Sequence, residues 1–141
     1  MALVGWLWAD LLLGLFALFL AANSAGTPVR AAEGIDPLPI ELRIPMNGAA
    51  LLGAPAVAER EQQRIAAEAE RLLVAQGATR RVAIVLAFAR HGSPADGDRI
   101  AKLATERLRD RQFSGSVIKS YHELAPGDTG SLLTLEVYLY Q

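Results

Sequence analysis

Val82-Ala83-Ile84-Val85-Leu86-Ala87-Phe88-Ala89 (VAIVLAFA) is apolar at odd and even positions alike. Side chains along a strand alternate between faces, so a run apolar on both predicts a central strand covered by other structure. The segments on either side carry helical signals. Before it, 56–76 places Ala58, Ile65, Ala69 and Leu72 on one stripe, and Gly77 supplies a natural stop. After it, Ser93-Pro94-Ala95-Asp96 has the form of a capping box with proline at the first helical position. That second helix is predicted to run to about Arg111 and to bury Ile100, Leu103, Ala104 and Leu108.

The outer segments complete a sheet. Leu38, Ile40, Leu42 and Ile44 alternate with Pro39, Glu41 and Arg43, which predicts a half-buried strand whose prolines mark strand ends or an edge. Residues 47–55 read as a Gly/Ala loop, and 117–122 as a third strand. The turn 125–130 (APGDTG) leads into a last strand with Leu133, Leu135, Val137 and Leu139 inward. The order is β-α-β-α-β-β, an α+β domain over 38–141 with its helices on a mixed sheet.

Ahead of the domain, 2–22 reads ALVGWLWADLLLGLFALFLAA, with Asp10 as its one charged side chain. The run is long enough for a single N-terminal transmembrane helix, placed at 1–22, at roughly 1.5 Å per residue across a ~30 Å core. An acid in that setting costs on the order of 3 kcal/mol, which marks Asp10 as an ion-binding candidate. Asp10, Gly14, Ala17 and Ala21 share one helical face, and the three small residues are expected to pack against other helices. Trp6 and Trp8 sit near one end, where indoles favour the headgroup boundary. A cleaved leader is disfavoured by the length of the run, its interrupting acid and the lack of a basic start. Lys and Arg placement leaves the orientation open. Residues 23–37 (NSAGTPVRAAEGIDP) read as a linker.

Composition narrows the function classes. The chain of 141 residues has 14 basic and 15 acidic side chains, a net charge of −1, which argues against nucleic acid as a partner. It has no cysteine, so disulfides and thiolate chemistry are excluded. His91, Ser93 and Asp96 are too local for a catalytic triad, and no nucleophile elbow surrounds Ser93. His91 and His122 lack a recognised metal-ligand spacing. The expectation is a non-enzymatic protein with no metal and no cofactor.

Two resemblances converge on these residues. Trp8-Ala9-Asp10 followed by LLLGLFALFL resembles the transmembrane helix of the MotB/ExbD/TolR group, the ion-carrying subunits of membrane motors. The downstream element order, Leu103-Ala104-x-x-Arg107 and the closing Leu135-Glu136-Val137 strand resemble the OmpA-like, MotB-type periplasmic domain. The resemblance implies a B-type subunit of a 5:2 motor, a stator-like proton channel in which Asp10 carries the ion. It also implies a pentameric, polytopic MotA/ExbB-like partner and a homodimer whose periplasmic domain transmits force or anchors. The setting is then the bacterial inner membrane, with the C-terminal domain in the periplasm. The alternative is a membrane-tethered OmpA-like scaffold with no ion role.

Wall binding is where the chain departs from that pattern. Arg107 matches the family's peptidoglycan-gripping arginine, but Ala89-Arg90-His91-Gly92 stands where an acid is expected, leaving Asp96 or Asp98 as substitutes. Weak or absent peptidoglycan binding is therefore expected, with anchoring supplied by another envelope protein or by dimerisation. For the ion role, Asp10→Asn is expected to abolish coupled function in cells while the complex still assembles, because the amide cannot ionise. Full function in that variant removes Asp10 as the carrier.

Overall fold

The computed structural model describes residues 11–15 and 34–141. The chain divides into two units, Met1–Glu33 and Gly34–Gln141. The second unit is an α+β domain built on a four-stranded mixed sheet. Its elements are β1 (Ile40–Pro45), α1 (Gly48–Leu51), α2 (Pro55–Ala75), β2 (Val82–His91), α3 (Pro94–Ala104), β3 (Val117–Leu124) and β4 (Leu132–Leu139). A short 3-10 turn, Arg111–Phe113, precedes β3.

The fold class read from the sequence is corrected at its N-terminus. Among the described residues no helix is long and apolar enough to cross a membrane. Residues 11–15 are helical. The rest of 1–22, with Asp10, Ala17 and Ala21, lies outside the described residues, as does most of the linker at 23–37.

Sheet order is β1-β4-β2-β3. β4 runs antiparallel to both β1 and β2, while β2 and β3 are parallel. The chain therefore steps across the sheet in one direction, β1 to β2 through α2 and β2 to β3 through α3. Crossovers of one hand moving in one direction place both helices on the same face. A single core cluster results, with Ile65, Ala69 and Leu73 of α2 and Ile100, Ala101 and Ala104 of α3 packed on Leu42, Val85, Ala87, Leu135 and Val137.

β2 is central, as its sequence predicts, but it is covered on one side only. Val85, Ala87 and Ala89 are buried, while Ile84, Leu86 and Phe88 are half-buried and stand outside the core cluster. The stripe of α2 also differs. Its buried positions are Ala58, Gln62, Ile65, Ala69 and Leu73, so a glutamine holds one core position and Leu73 replaces Leu72. Gln62 is accommodated because its Nε2 donates to Glu106 at 3.3 Å.

Helix ends moved for identifiable reasons. α3 stops at Ala104 and not near Arg111: the chain turns at Thr105, whose hydroxyl donates back to the Ala101 carbonyl at 3.0 Å. Ser93 occupies the N-cap of α3 without a side-chain capping bond. Its own N–H donates instead to His91 Nδ1 at 2.8 Å. The stretch read as a loop at 47–55 contains α1, capped by Asn47 Oδ1, which accepts from Ala50 N at 3.0 Å. Leu38 is exposed, and β1 begins only at Ile40, because Asp36 Oδ1 accepts the Leu38 N–H at 3.0 Å and bends the chain. Ile35 bridges to Tyr140, which brings the domain's first residues onto the end of β4.

One-sided coverage predicts unequal costs of truncation along adjacent strands. Leu135→Ala, at a fully buried position, is expected to lower unfolding stability by about 2–5 kcal/mol. Leu86→Ala, on the uncovered face, should cost under about 1.5 kcal/mol. Urea denaturation of both variants checks this, and equal losses would place a second layer over Leu86.

Candidate functional site

Strand register sets out the uncovered face row by row. One row across the sheet is Tyr138, Ile84 and Val117; the next is Glu41, Glu136, Leu86 and Lys119; the third is Arg43, Thr134, Phe88 and Tyr121. Apart from Lys119 the β2–β3 half of these rows is apolar and aromatic, and the β1–β4 half is polar, with Glu41, Arg43 and Glu136 charged. Phe88 and Tyr121 stack with ring centroids 5.3 Å apart and planes 21° from parallel, an arrangement worth about 0.5–1.5 kcal/mol beyond area burial. Tyr121 is still 45% exposed and Val117 53% exposed. Between Glu41, Arg43, Phe88, Thr134 and Glu136 the face dips into a shallow hollow of about 290 Å³.

Charges on this face are mostly local. Arg43 Nε donates to Glu41 Oε1 at 2.7 Å, an exposed and solvent-screened pair on β1. Lys119 lies on the β3 side and Glu136 on the β4 side, with Leu86 paired to both between them. Arg90 and Glu123 approach to 3.9 Å, and the buried Arg90 Nε has no hydrogen-bond partner.

The residues singled out by the sequence lie elsewhere. Arg107 falls beyond the end of α3, where its Nη2 donates to Glu59 Oε1 at 2.5 Å. Asp96 is in the first turn of α3, and Asp98 Oδ1 lies 3.0 Å from His122 Nδ1. From Asp96 to Arg107 the chain passes the length of the helix, on the order of 15 Å. The candidate peptidoglycan contacts are therefore split between the two ends of α3. Gly14 is within the described segment at 11–15, and a Cβ added there would meet nothing within 4 Å.

The end of β2 is tightly packed around Gly97. A Cβ on Gly97 would come 2.7 Å from His122 Cβ and 3.3 Å from His91 Cβ. Glycine at this position lets α3 approach both strands. Among the described residues no three His, Asp or Glu side chains converge as a metal site.

A structured turn closes the same end of the sheet. Asp128 Oδ1 accepts the N–H groups of Ser131 and Gly130, each at 2.9 Å, and Oδ2 accepts the Ser131 hydroxyl at 2.8 Å. Those bonds, led by the Ser131 N–H, hold its carboxyl below the ordinary value of 3.8, with Arg90 adding a smaller push in the same direction.

Sequence reading missed the Phe88–Tyr121 pair and the rows around it. The alternation of Val117, Lys119 and Tyr121 with Ile118 and Ser120 was the available signal, but only the parallel register brings Tyr121 beside Phe88. Compared with family models, curated proteins and solved structures, the chain matches none.

The Asp128 turn makes a pH prediction. A carboxyl lowered on folding stabilises above its unfolded pKa, and that stability is lost as pH falls through the lower folded value. Wild type should therefore exceed Asp128→Asn in stability at pH 7. The gap should narrow as pH falls below 3.8. Thermal unfolding of both proteins from pH 7 to pH 2 checks this; a gap constant across the range contradicts it.

Proposed function

We propose that the domain Gly34–Gln141 acts by docking, as the association module of an envelope scaffold, and pairs with a second copy through its uncovered sheet face. The observation that carries this reading is that face itself, with Ile84, Leu86, Phe88, Val117 and Tyr121 in adjoining rows beside a charged half. Contiguous apolar surface of this kind marks interaction sites on soluble domains. A two-fold pairing presents the same patch from both copies. With the axis parallel to the strands, it sets the Glu41–Glu136 side of one sheet over the Lys119 side of the other, with the apolar band closing between them.

The wider reading concerns the whole chain. In it, the protein belongs to a bacterial inner-membrane motor, Asp10 carries a proton beside a pentameric polytopic partner, and the paired domains transmit force or anchor. The support for that role is the sequence around Asp10, a residue outside the described ones.

Sedimentation velocity tests the pairing. The domain is expected to associate reversibly into dimers, and Phe88→Asp should weaken dimerisation at least tenfold while leaving the circular dichroism spectrum unchanged. Wild-type domain that stays monomeric at several hundred micromolar contradicts this reading.

A further inference from the structure

Most arginines of the domain have a carboxylate beside them. Arg43 pairs with Glu41, Arg64 with Glu61, Arg71 with Glu68, Arg80 with Asp36, Arg107 with Glu59 and Arg111 with Glu70. Among the described residues Arg99, Lys102 and Arg109 have no such ion pair, and all three line one groove of about 500 Å³ between α3 and β3. Glu106 is the one acid lining it, and its Oε2 accepts from Gln62. Arg109 Nε donates to the Glu106 carbonyl at 3.1 Å, which fixes the side chain at the groove without neutralising it. Three cations against one carboxylate leave the groove strongly positive.

The groove runs beside an unpaired strand edge. β3 is last in the sheet order and pairs only with β2, so its outer edge has no strand neighbour among the described residues. Ile118 and Ser120 point to the helix side and form one wall, with Leu103 of α3 opposite. An edge of this kind offers alternating N–H and C=O groups to an added strand. Alternate side chains of that strand fall on the groove side, about 6.8 Å apart.

We propose that an extended acidic segment of a partner polypeptide adds to the free edge of β3 and lays alternate side chains in this groove. Its carboxylates meet Arg99, Lys102 and Arg109, and an apolar residue between them rests on Leu103 and Ile118. A second copy of this chain is the weaker occupant. The helix-side residues of β3 are Ile118, Ser120, His122 and Leu124, none of them acidic. Pairing β3 with β3 would also bring two sets of unpaired cations to one seam. This partner site goes beyond the pairing of open sheet faces and stands independently of it.

The probe is a labelled, end-blocked peptide, Thr-Glu-Thr-Leu-Thr-Glu-Thr, titrated by fluorescence anisotropy with the full chain in mild detergent. Its matched control carries lysine for glutamate. The acidic peptide is expected to bind, to weaken at least tenfold in the Arg99→Glu, Lys102→Glu double variant, and to be unaffected by Arg60→Glu, which lies outside the groove. Binding should fall as salt is raised, and hydrogen exchange at the β3 amides should slow in the complex. No binding, equal binding of the lysine peptide, or an unaffected double variant overturns the proposal. Displacement by equimolar inorganic phosphate, or unchanged β3 exchange in the complex, reduces the site to a small-anion patch and overturns strand addition. A dimer that forms through β3 and excludes the peptide assigns the edge to a second copy and also overturns it.

Discussion

Two crossovers that step across the sheet in the same direction set the rest of this structure. β1 reaches β2 through α2, and β2 reaches β3 through α3, with β4 inserted between β1 and β2. Because such crossovers share one hand, both helices return to one face and none is left for the other. The core on the helical side is then built from Val85, Ala87 and Ala89 with Leu135 and Val137. The alternate residues of the same strands are left to solvent or to a partner. An apolar β2 on a one-sided sheet thus produces both the core and the candidate surface.

The two surfaces read as binding sites differ in physics. The open face offers aromatic and aliphatic area with few unpaired charges, which suits a partner of the same composition. The α3–β3 groove offers unpaired cations beside a free strand edge, which suits an acidic strand. Ion pairing across the domain sharpens the contrast, since two of the three arginines of α2 are held by acids one helical turn away, Arg64 by Glu61 and Arg71 by Glu68. Such exposed pairs add little stability, but they remove those cations from competition for a ligand.

Much of the domain was legible in the sequence where burial follows periodicity. The alternation of Leu133, Leu135, Val137 and Leu139 in β4 points inward as its pattern requires. The reading failed where polar chemistry or long-range register decides. A stripe drawn from apolar residues alone missed Gln62, which enters the core because Glu106 meets its amide. A helix drawn to Arg111 missed the turn at Thr105 that follows its end at Ala104. The covered state of β2 depended on where α2 and α3 would land, which no local pattern reports. Arg107, Asp96 and Asp98 looked near in sequence, yet α3 keeps the arginine away from both acids.

The central claim is that the face bearing Phe88 is covered by a partner in the working protein. Site-specific photocrosslinking from Phe88, replaced by a benzophenone amino acid, tests it most directly in intact cells. A matched probe at the exposed Gln63 of α2 serves as reference. The account predicts one discrete crosslinked species from position 88, at the mass of two chains, and none from position 63. Equal, diffuse crosslinking from both positions would show that the face is left to solvent and would contradict it.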